Sequence, residues 1–135
     1  MDATLNKPTA AEDSATIDNE HQVQVGMLDA FCKLLEDDEA SSEVQEMLDQ
    51  LAAYSEVHFM SEQLLMRMYA YPDYDDHVLD HEAMTEYIND MKKSFSSGQN
   101  IKALAAANNM RNFLLSHIDS RDKAFSQYLN TMGST

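Results

Sequence analysis

Two pairs of residues that could bind a metal are spaced so that both side chains of each pair lie on one face of a helix. His58 is followed four residues later by Glu62, and His77 is followed four residues later by His81. Residues i and i+4 lie one turn apart on the same side of an α-helix, so each pair presents two donor groups in one direction. Imidazole nitrogens together with carboxylate oxygens suit iron. The two pairs therefore predict a metal site.

The other histidines of predicted helices, His21 and His117, are expected at the same level. His21 and His58 each lie about 17 residues from the first predicted turn, so at about 1.5 Å per residue both return to one height. His81 and His117 lie about 17 and 19 residues on either side of Gly98, with the same result. Because this gives more ligands than one ion accepts, the sequence predicts two metal ions.

Asp122 is the second candidate carboxylate. It follows His117 by five residues, which corresponds to about 140° around an ideal helix. Either its side chain reaches in from the flank, or the helix widens locally. A lone buried histidine is more often an ordinary hydrogen-bonded core residue, and a lone acidic residue is usually solvated. The convergence of all five histidines favours the metal site over that ordinary interpretation.

Four amphipathic segments must position these residues, and they predict an all-α fold, an antiparallel up-down four-helix bundle. Residues 1–16 are polar and aperiodic and are predicted to be a flexible N-terminal tail, followed by one domain over residues 17–135. The predicted helices begin at an Asp18 or Asn19 cap, at a Ser42–Gln45 capping box, at an Asp75 or Asp76 cap and near Ile101. They end near Leu35, before Pro72, at Ser97–Gly98 and near Leu129.

Composition excludes several classes of partner. The formal net charge is −15 over 135 residues, which argues against nucleic acid and anionic membranes, because both require a basic face. No apolar stretch approaches the roughly 20 residues of a membrane span. The single cysteine, Cys32, cannot form an internal disulfide, which is compatible with a reducing cytoplasm. We therefore expect a cytoplasmic protein.

The motifs together resemble the hemerythrin-like proteins, in particular the single-domain bacterial forms called bacteriohemerythrins. The resemblance covers about residues 17 to 130 and rests on ordered ligand spacings and on Tyr71-Pro72 between the second and third helices. The motifs are IDNEH at 17–21, HFMSE at 58–62, HVLDH at 77–81 and HIDSRD at 117–122. Ferritin-like diiron proteins use ExxH pairs instead, and no ExxH occurs in this sequence.

The resemblance implies a role for each ligand in an iron pair with an oxo or hydroxo bridge. One iron would be held by His77, His81 and His117. The other would be held by His21 and His58, leaving one position open for dioxygen or a small anion such as azide. Glu62 and Asp122 would bridge the two ions.

The side chains near the ligands predict an apolar oxygen pocket. It consists of Phe59, Phe113, Leu114 and Ile118, with Leu114 nearest the bound gas because it precedes His117 by three residues. We expect reversible dioxygen binding, for oxygen storage, delivery or sensing, with dioxygen as the cofactor ligand. The alternative is a diiron enzyme, an oxidase or a scavenger of peroxide or nitric oxide. The lack of an obvious general acid favours the oxygen-binding protein, and no protein partner is assigned.

Overall fold

The structure is a computed structural model that describes residues 9–133, and this part of the chain is helical without any β-strand. The helices are α1 (Ala10–Glu36), α2 (Ser41–Met68), α3 (Tyr74–Ser96), α4 (Asn100–His117) and α5 (Lys123–Gly133). A π-helical turn, Ile118–Asp122, joins α4 to α5 without a break. The predicted all-α class is confirmed, and the arrangement is consistent with a four-helix bundle.

The first helix begins earlier than predicted. Thr9 caps it, because its hydroxyl accepts a hydrogen bond from the backbone N–H of Glu12 at 3.1 Å. Residues 10–16, assigned above to the flexible tail, therefore form the first turns of α1, and the predicted start at Asp18 or Asn19 is wrong. Ser14 is buried within these turns, so burial in the bundle fixes a segment whose composition predicted disorder. The predicted tail residues 1–8 lie outside the described residues.

Two other predicted helix starts are wrong by two or three residues, whereas a predicted end is confirmed. α2 begins at Ser41 with Ala40 as its N-cap, and Gln45 donates to Asp49 rather than closing a capping box with Ser42. α3 begins at Tyr74 instead of after an Asp75 or Asp76 cap. Gly98 follows the end of α3 with a φ of 74°, the left-handed conformation that favours glycine.

Two apolar clusters pack on either side of the histidine layer along the bundle. The larger cluster includes Leu28, Leu48, Leu51, Met84, Met110 and Leu114. The smaller cluster includes Ile17, Met66, Tyr71, Phe125 and Leu129. The five histidines interrupt the same inward-facing stripes, so folding of the apolar stripes brings them to one level. None of the described helices is long and apolar enough to cross a membrane.

Contacts between α1 and α2 pair early positions of one helix with late positions of the other. On α1 and α2, the Tyr69 hydroxyl donates to Asp13 at 3.0 Å, and the Gln24 amide donates to Ser55 at 2.9 Å. The contacted positions rise along α1 while they fall along α2. Arg111 of α4 also contacts α1, where its guanidinium donates to Asp29 at 2.6 Å. These contacts fix which levels of the helices face each other.

Candidate metal centre

The structure brings all seven predicted ligands into one buried layer. Each of them is between 1% and 3% exposed to solvent: His21, His58, Glu62, His77, His81, His117 and Asp122. Buried charged and imidazole groups cost free energy unless they are paired or coordinate a metal. Their concentration at one level therefore requires an explanation in terms of mutual contacts or a bound cation.

The two carboxylate oxygens of Glu62 face two different groups of histidines. Oε1 lies 2.8 Å from His81 Nε2 and 3.2 Å from His77 Nε2. Oε2 lies 3.0 Å from His21 Nε2 and 3.7 Å from His58 Nε2. Glu62 thus lies between a histidine set on α3 and a histidine set on α1 and α2.

Asp122 divides its oxygens in the same way. Oδ1 lies 2.7 Å from His77 Nε2 and 2.9 Å from His117 Nε2. Oδ2 lies 2.9 Å from His21 Nε2. Each carboxylate therefore has one oxygen directed to the three-histidine set of α3 and α4 and the other directed to His21, the geometry required of a bridging ligand.

The local widening of the last helix explains how Asp122 reaches this layer. The π-helical turn Ile118–Asp122 begins immediately after His117. Such a turn inserts an extra residue per turn relative to an α-helix, so a five-residue spacing returns to the same face. Of the two alternatives offered by the sequence, widening of the helix is the one observed.

Three further residues contact the outer nitrogens of the histidines. Glu20 Oε1 lies 2.7 Å from His58 Nδ1, and Gln63 Oε1 lies 2.8 Å from His81 Nδ1. Such partners fix the ring orientation and tautomer of a metal ligand. Neither contact was predicted, because each partner precedes or follows a ligand in sequence but contacts a histidine of another helix.

The third outer contact belongs to a small ion-pair network. Asp80 Oδ2 lies 2.7 Å from His117 Nδ1 and also 2.6 Å from Arg121 Nε. Asp80 was likewise missed by the sequence analysis, although it precedes the predicted ligand His81. The contact of Asp80 with His117 depends on the packing of α3 beside α4, which sequence spacing does not reveal.

The buried contacts shift the pKa values of the ligands. Burial by itself lowers the pKa of His21, but hydrogen bonds to Asp122 and Glu62 outweigh it and raise that pKa to about 10. The same opposing effects raise the pKa of His77 to about 9. Burial tends to raise the pKa of Glu62, whereas hydrogen bonds from His21, His77 and His81 hold it well below its usual range. Without a metal, the layer therefore holds ion pairs.

The donor set suits cations. The ligand atoms of Glu62, His77, His81 and His117 lie within 4.8 Å of one another, as do those of His21, His58 and Glu62. His117 Nε2 is buried and, among the described residues, makes no hydrogen bond. Its 2.9 Å approach to Asp122 Oδ1 lacks the alignment of a hydrogen bond, so we regard it as a contact between two ligands. A lone pair left in this way is available to a metal ion.

The four predicted pocket residues do not share one set of surroundings. Phe59 is buried and stacks on His81, with ring centroids 4.4 Å apart and planes at 16°. Leu114 is buried in the larger apolar cluster. Ile118 is partly buried and lines a groove of about 500 Å³ beside His21. Phe113 is partly buried, and its ring lies 6.0 Å from Tyr87, so its ring contact is on α3 rather than with a histidine.

The groove beside His21 contains residues that the sequence analysis did not select. Its walls come from α1 and from the end of α4. Besides the predicted Ile118, they include Val25 and Leu115, which were not assigned to the pocket. Leu115 is exposed. No periodicity marks it as inward-facing, which is why sequence reasoning did not find it.

Comparison with known proteins gives two similarities. The family model of the hemerythrin HHE cation binding domain matches residues 13–129. A bacteriohemerythrin of Methylococcus capsulatus (strain Bath) is 29% identical over 89 residues, which are 66% of this chain and 68% of that protein. No solved structure is significantly similar to the chain.

Proposed function

Because the chain belongs to the hemerythrin HHE cation-binding family, we propose that it is a non-haem diiron protein that binds dioxygen reversibly. The observation that carries this proposal is the division of the carboxylate oxygens. Glu62 and Asp122 each direct one oxygen to the three-histidine set and the other to His21. A single metal site has no use for two such carboxylates, whereas a pair of ions requires bridging ligands.

The two histidine sets are unequal, and this inequality supports a binding role. His77, His81 and His117 would hold one iron, and His21 and His58 would hold the other with one ligand fewer. When bound, the iron pair would supply electrons and an open position for dioxygen, or for an anion such as azide. A bacteriohemerythrin is among the relatives of the chain, which also supports this proposal.

The protein's own contribution is to orient the ligands and exclude water. Glu20, Gln63 and Asp80 hold the outer nitrogens of three histidines at 2.7–2.8 Å, which fixes the ring orientations. Phe59 and Leu114 cover the layer with apolar surface. This apolar cover limits the supply of protons to the open position, which favours release of the ligand unchanged.

The arrangement of the helices is also part of this proposal. We propose an antiparallel up-down bundle, supported by the contacts of Asp13 with Tyr69, of Gln24 with Ser55 and of Asp29 with Arg111. Such a bundle has four helical rods, which are α1, α2, α3 and the continuous α4 and α5. Each rod contributes at least one ligand to the layer. The proposal thus links the topology to the composition of the site.

A gas-exchange experiment tests the function. The chain is loaded anaerobically with ferrous iron, its iron-to-protein ratio is measured, and its optical spectrum is followed through oxygenation and removal of oxygen under argon. We expect two irons per chain and a spectrum that returns to its starting form over several cycles. One metal per chain would contradict the iron pair. Irreversible oxidation with consumption of peroxide or nitric oxide would instead indicate the enzyme, an alternative supported by the groove that opens beside His21.

A further inference from the structure

One layer of side chains lies a single turn below the ligands, toward the larger apolar cluster. Each of the four rods supplies one residue of it, three positions from a histidine. These residues are Gln24 after His21, Ser55 before His58, Met84 after His81 and Leu114 before His117. All four are at most 1% exposed. Residues three apart share a helix face, so this layer forms the floor of the metal centre.

The floor is apolar under one half of the centre and polar under the other half. Met84 and Leu114 lie below the three-histidine set. Gln24 and Ser55 belong to α1 and α2, the helices that carry His21 and His58, and the Gln24 amide nitrogen donates to Ser55 Oγ at 2.9 Å. The rings of His21 and His58 lie 4.8 Å apart. The polar pair therefore lies under the half that has one ligand fewer.

Only one of the two polar atoms of the Gln24 amide, Nε2, has a hydrogen-bond partner among the described residues. Its Oε1 is buried and has no hydrogen-bond partner among the described residues, and the whole side chain is 0% exposed. An unpaired buried carbonyl costs free energy, and such a group in a native protein calls for an explanation, such as a bound ligand or water. An apolar side chain would fill this core position without that cost.

A cleft comes close to this buried pair from the side. A cleft of about 490 Å³ between α2 and α3 is lined by Ser55 and Phe59. Ser55 connects the cleft with the Gln24 amide, and Phe59 lies beside His58 with ring centroids 5.9 Å apart. The cleft is therefore separated from the floor of the two-histidine half by the Ser55 side chain alone.

We propose that Gln24 determines ligand specificity at the open metal position by accepting a hydrogen bond, through Oε1, from a small protic ligand such as water. This inference rests on the proposed function, because it assigns a ligand preference to the same site. An anion without hydrogen, such as azide, gains nothing from a carbonyl oxygen and must displace the water that it holds. The floor therefore disfavours azide relative to protic ligands.

The test is azide titration of the iron-loaded, oxidised full chain with Gln24→Leu. Loss of one hydrogen bond to the resident water should lower the dissociation constant of azide roughly fivefold. Gln50→Leu is the matched control, because Gln50 is exposed on α2, and it should leave the azide affinity unchanged. An affinity of Gln24→Leu within about twofold of the unsubstituted chain, or a weaker one, would overturn the proposal.

Two further measurements make the result unambiguous. Gln24→Met has the same unbranched length without an acceptor and should reproduce the tighter azide binding if Gln24→Leu does not fold. The iron-to-protein ratio separates the two proposals. If the unsubstituted chain and both variants hold two irons but bind azide equally, only the role of Gln24 is wrong. If the unsubstituted chain holds no iron pair, the proposed function fails and this inference fails with it.

Discussion

Asp122 follows His117 by five residues, and the π-helical turn between them places Asp122 Oδ1 2.9 Å from His117 Nε2. In an uninterrupted α-helix the same spacing would direct the two side chains to different faces. π-helical turns occur frequently at functional sites. The π-helical turn thus interrupts the regular α-helical hydrogen bonding, and it places a second carboxylate in the layer.

Removing either carboxylate should eliminate the iron pair. We expect Glu62→Ala to lose dinuclear iron, because its two oxygens contact four histidines. Asp122→Ala should have a comparable or slightly smaller effect, because its oxygens contact three. The iron-to-protein ratio and the optical spectrum measure both. Glu86→Ala removes an exposed carboxylate from α3 and serves as the control. An intact dinuclear spectrum in Glu62→Ala would show that this carboxylate is not a bridge.

The metal-free protein should lose stability at alkaline pH. The pKa values of His21 and His77 are about 10 and about 9 in the fold, against 6.5 when unperturbed. Because a raised folded pKa stabilises the protein below the unfolded pKa, this contribution is complete below pH 6.5 and is lost as the pH rises to about 10. We expect the melting temperature of the metal-free chain to fall by at least about 5 °C over that range.

The iron-loaded chain is the control for this alkaline effect. A metal takes the place of the protons on the histidines, so the melting temperature of the loaded chain should be higher and should not follow the same pH profile. Equal melting of both forms at every pH would mean that the layer is solvated and binds no metal.

The sequence predicts the level of the histidines better than it predicts the ends of the helices. Helix geometry and residue counts suffice to bring His21, His58, His81 and His117 together, because rise per residue is nearly constant. The start of α1 was missed because residues 10–16 are polar and aperiodic, whereas the Thr9 cap with Glu12 three residues later, together with burial of Ser14, makes them helical. Local propensity carries no information about such tertiary burial.

The outer contacts of the ligands could not be predicted for a related reason. Glu20 adjoins His21 in sequence but contacts His58, and Asp80 adjoins His81 but contacts His117. Sequence spacing identifies residues that share a face of one helix, whereas these contacts depend on the rotation of two helices against each other. The choice between a flanking Asp122 and a widened helix likewise depended on the fold.

Metal binding should release protons. At pH 7 the pKa values of His21 and His77 keep both rings protonated in the metal-free chain, and both must lose their protons before they can coordinate a metal. Glu62 and Asp122 contribute none, because their pKa values are lowered by the histidines. We expect the histidines to release about two protons per chain, to which a hydroxo bridge formed from water would add about one. Anaerobic calorimetry with ferrous iron, in two buffers of different ionisation enthalpy, measures this number.

The control for proton release is His21→Gln, which should release about one proton fewer when compared at the same iron-to-protein ratio. A release that does not change in this variant would show that His21 is neutral before the metal binds. The value for the unsubstituted chain would then have to come from other groups.

The contact of Asp80 with His117 should raise the metal affinity. Asp80→Asn removes the charged acceptor at 2.7 Å from His117 Nδ1, and loss of such a partner typically lowers metal affinity about 10- to 100-fold. Asp76 is a matched control, because it also lies near Arg121, at 3.8 Å, but is exposed to solvent. Competition with a chelator measures both affinities. Equal affinities of Asp76→Asn and Asp80→Asn would show that the outer contact has no effect.

The last prediction concerns Leu114, the residue chosen as nearest the bound gas. Leu114 is 1% exposed and precedes His117 by three residues, so its truncation opens a cavity in the floor of the centre. Ordinary core packing predicts that Leu114→Ala costs about 2–5 kcal/mol of stability. A pocket role predicts, in addition, faster decay of the oxygenated form, because water entering the cavity supplies protons. Leu48→Ala is the matched control, since Leu48 is 0% exposed in the same apolar cluster but lies ten residues before His58. The decay of the oxygenated spectrum is measured at a temperature at which all three proteins are folded. If Leu114→Ala decays no faster than Leu48→Ala, Leu114 serves packing alone and does not protect the site.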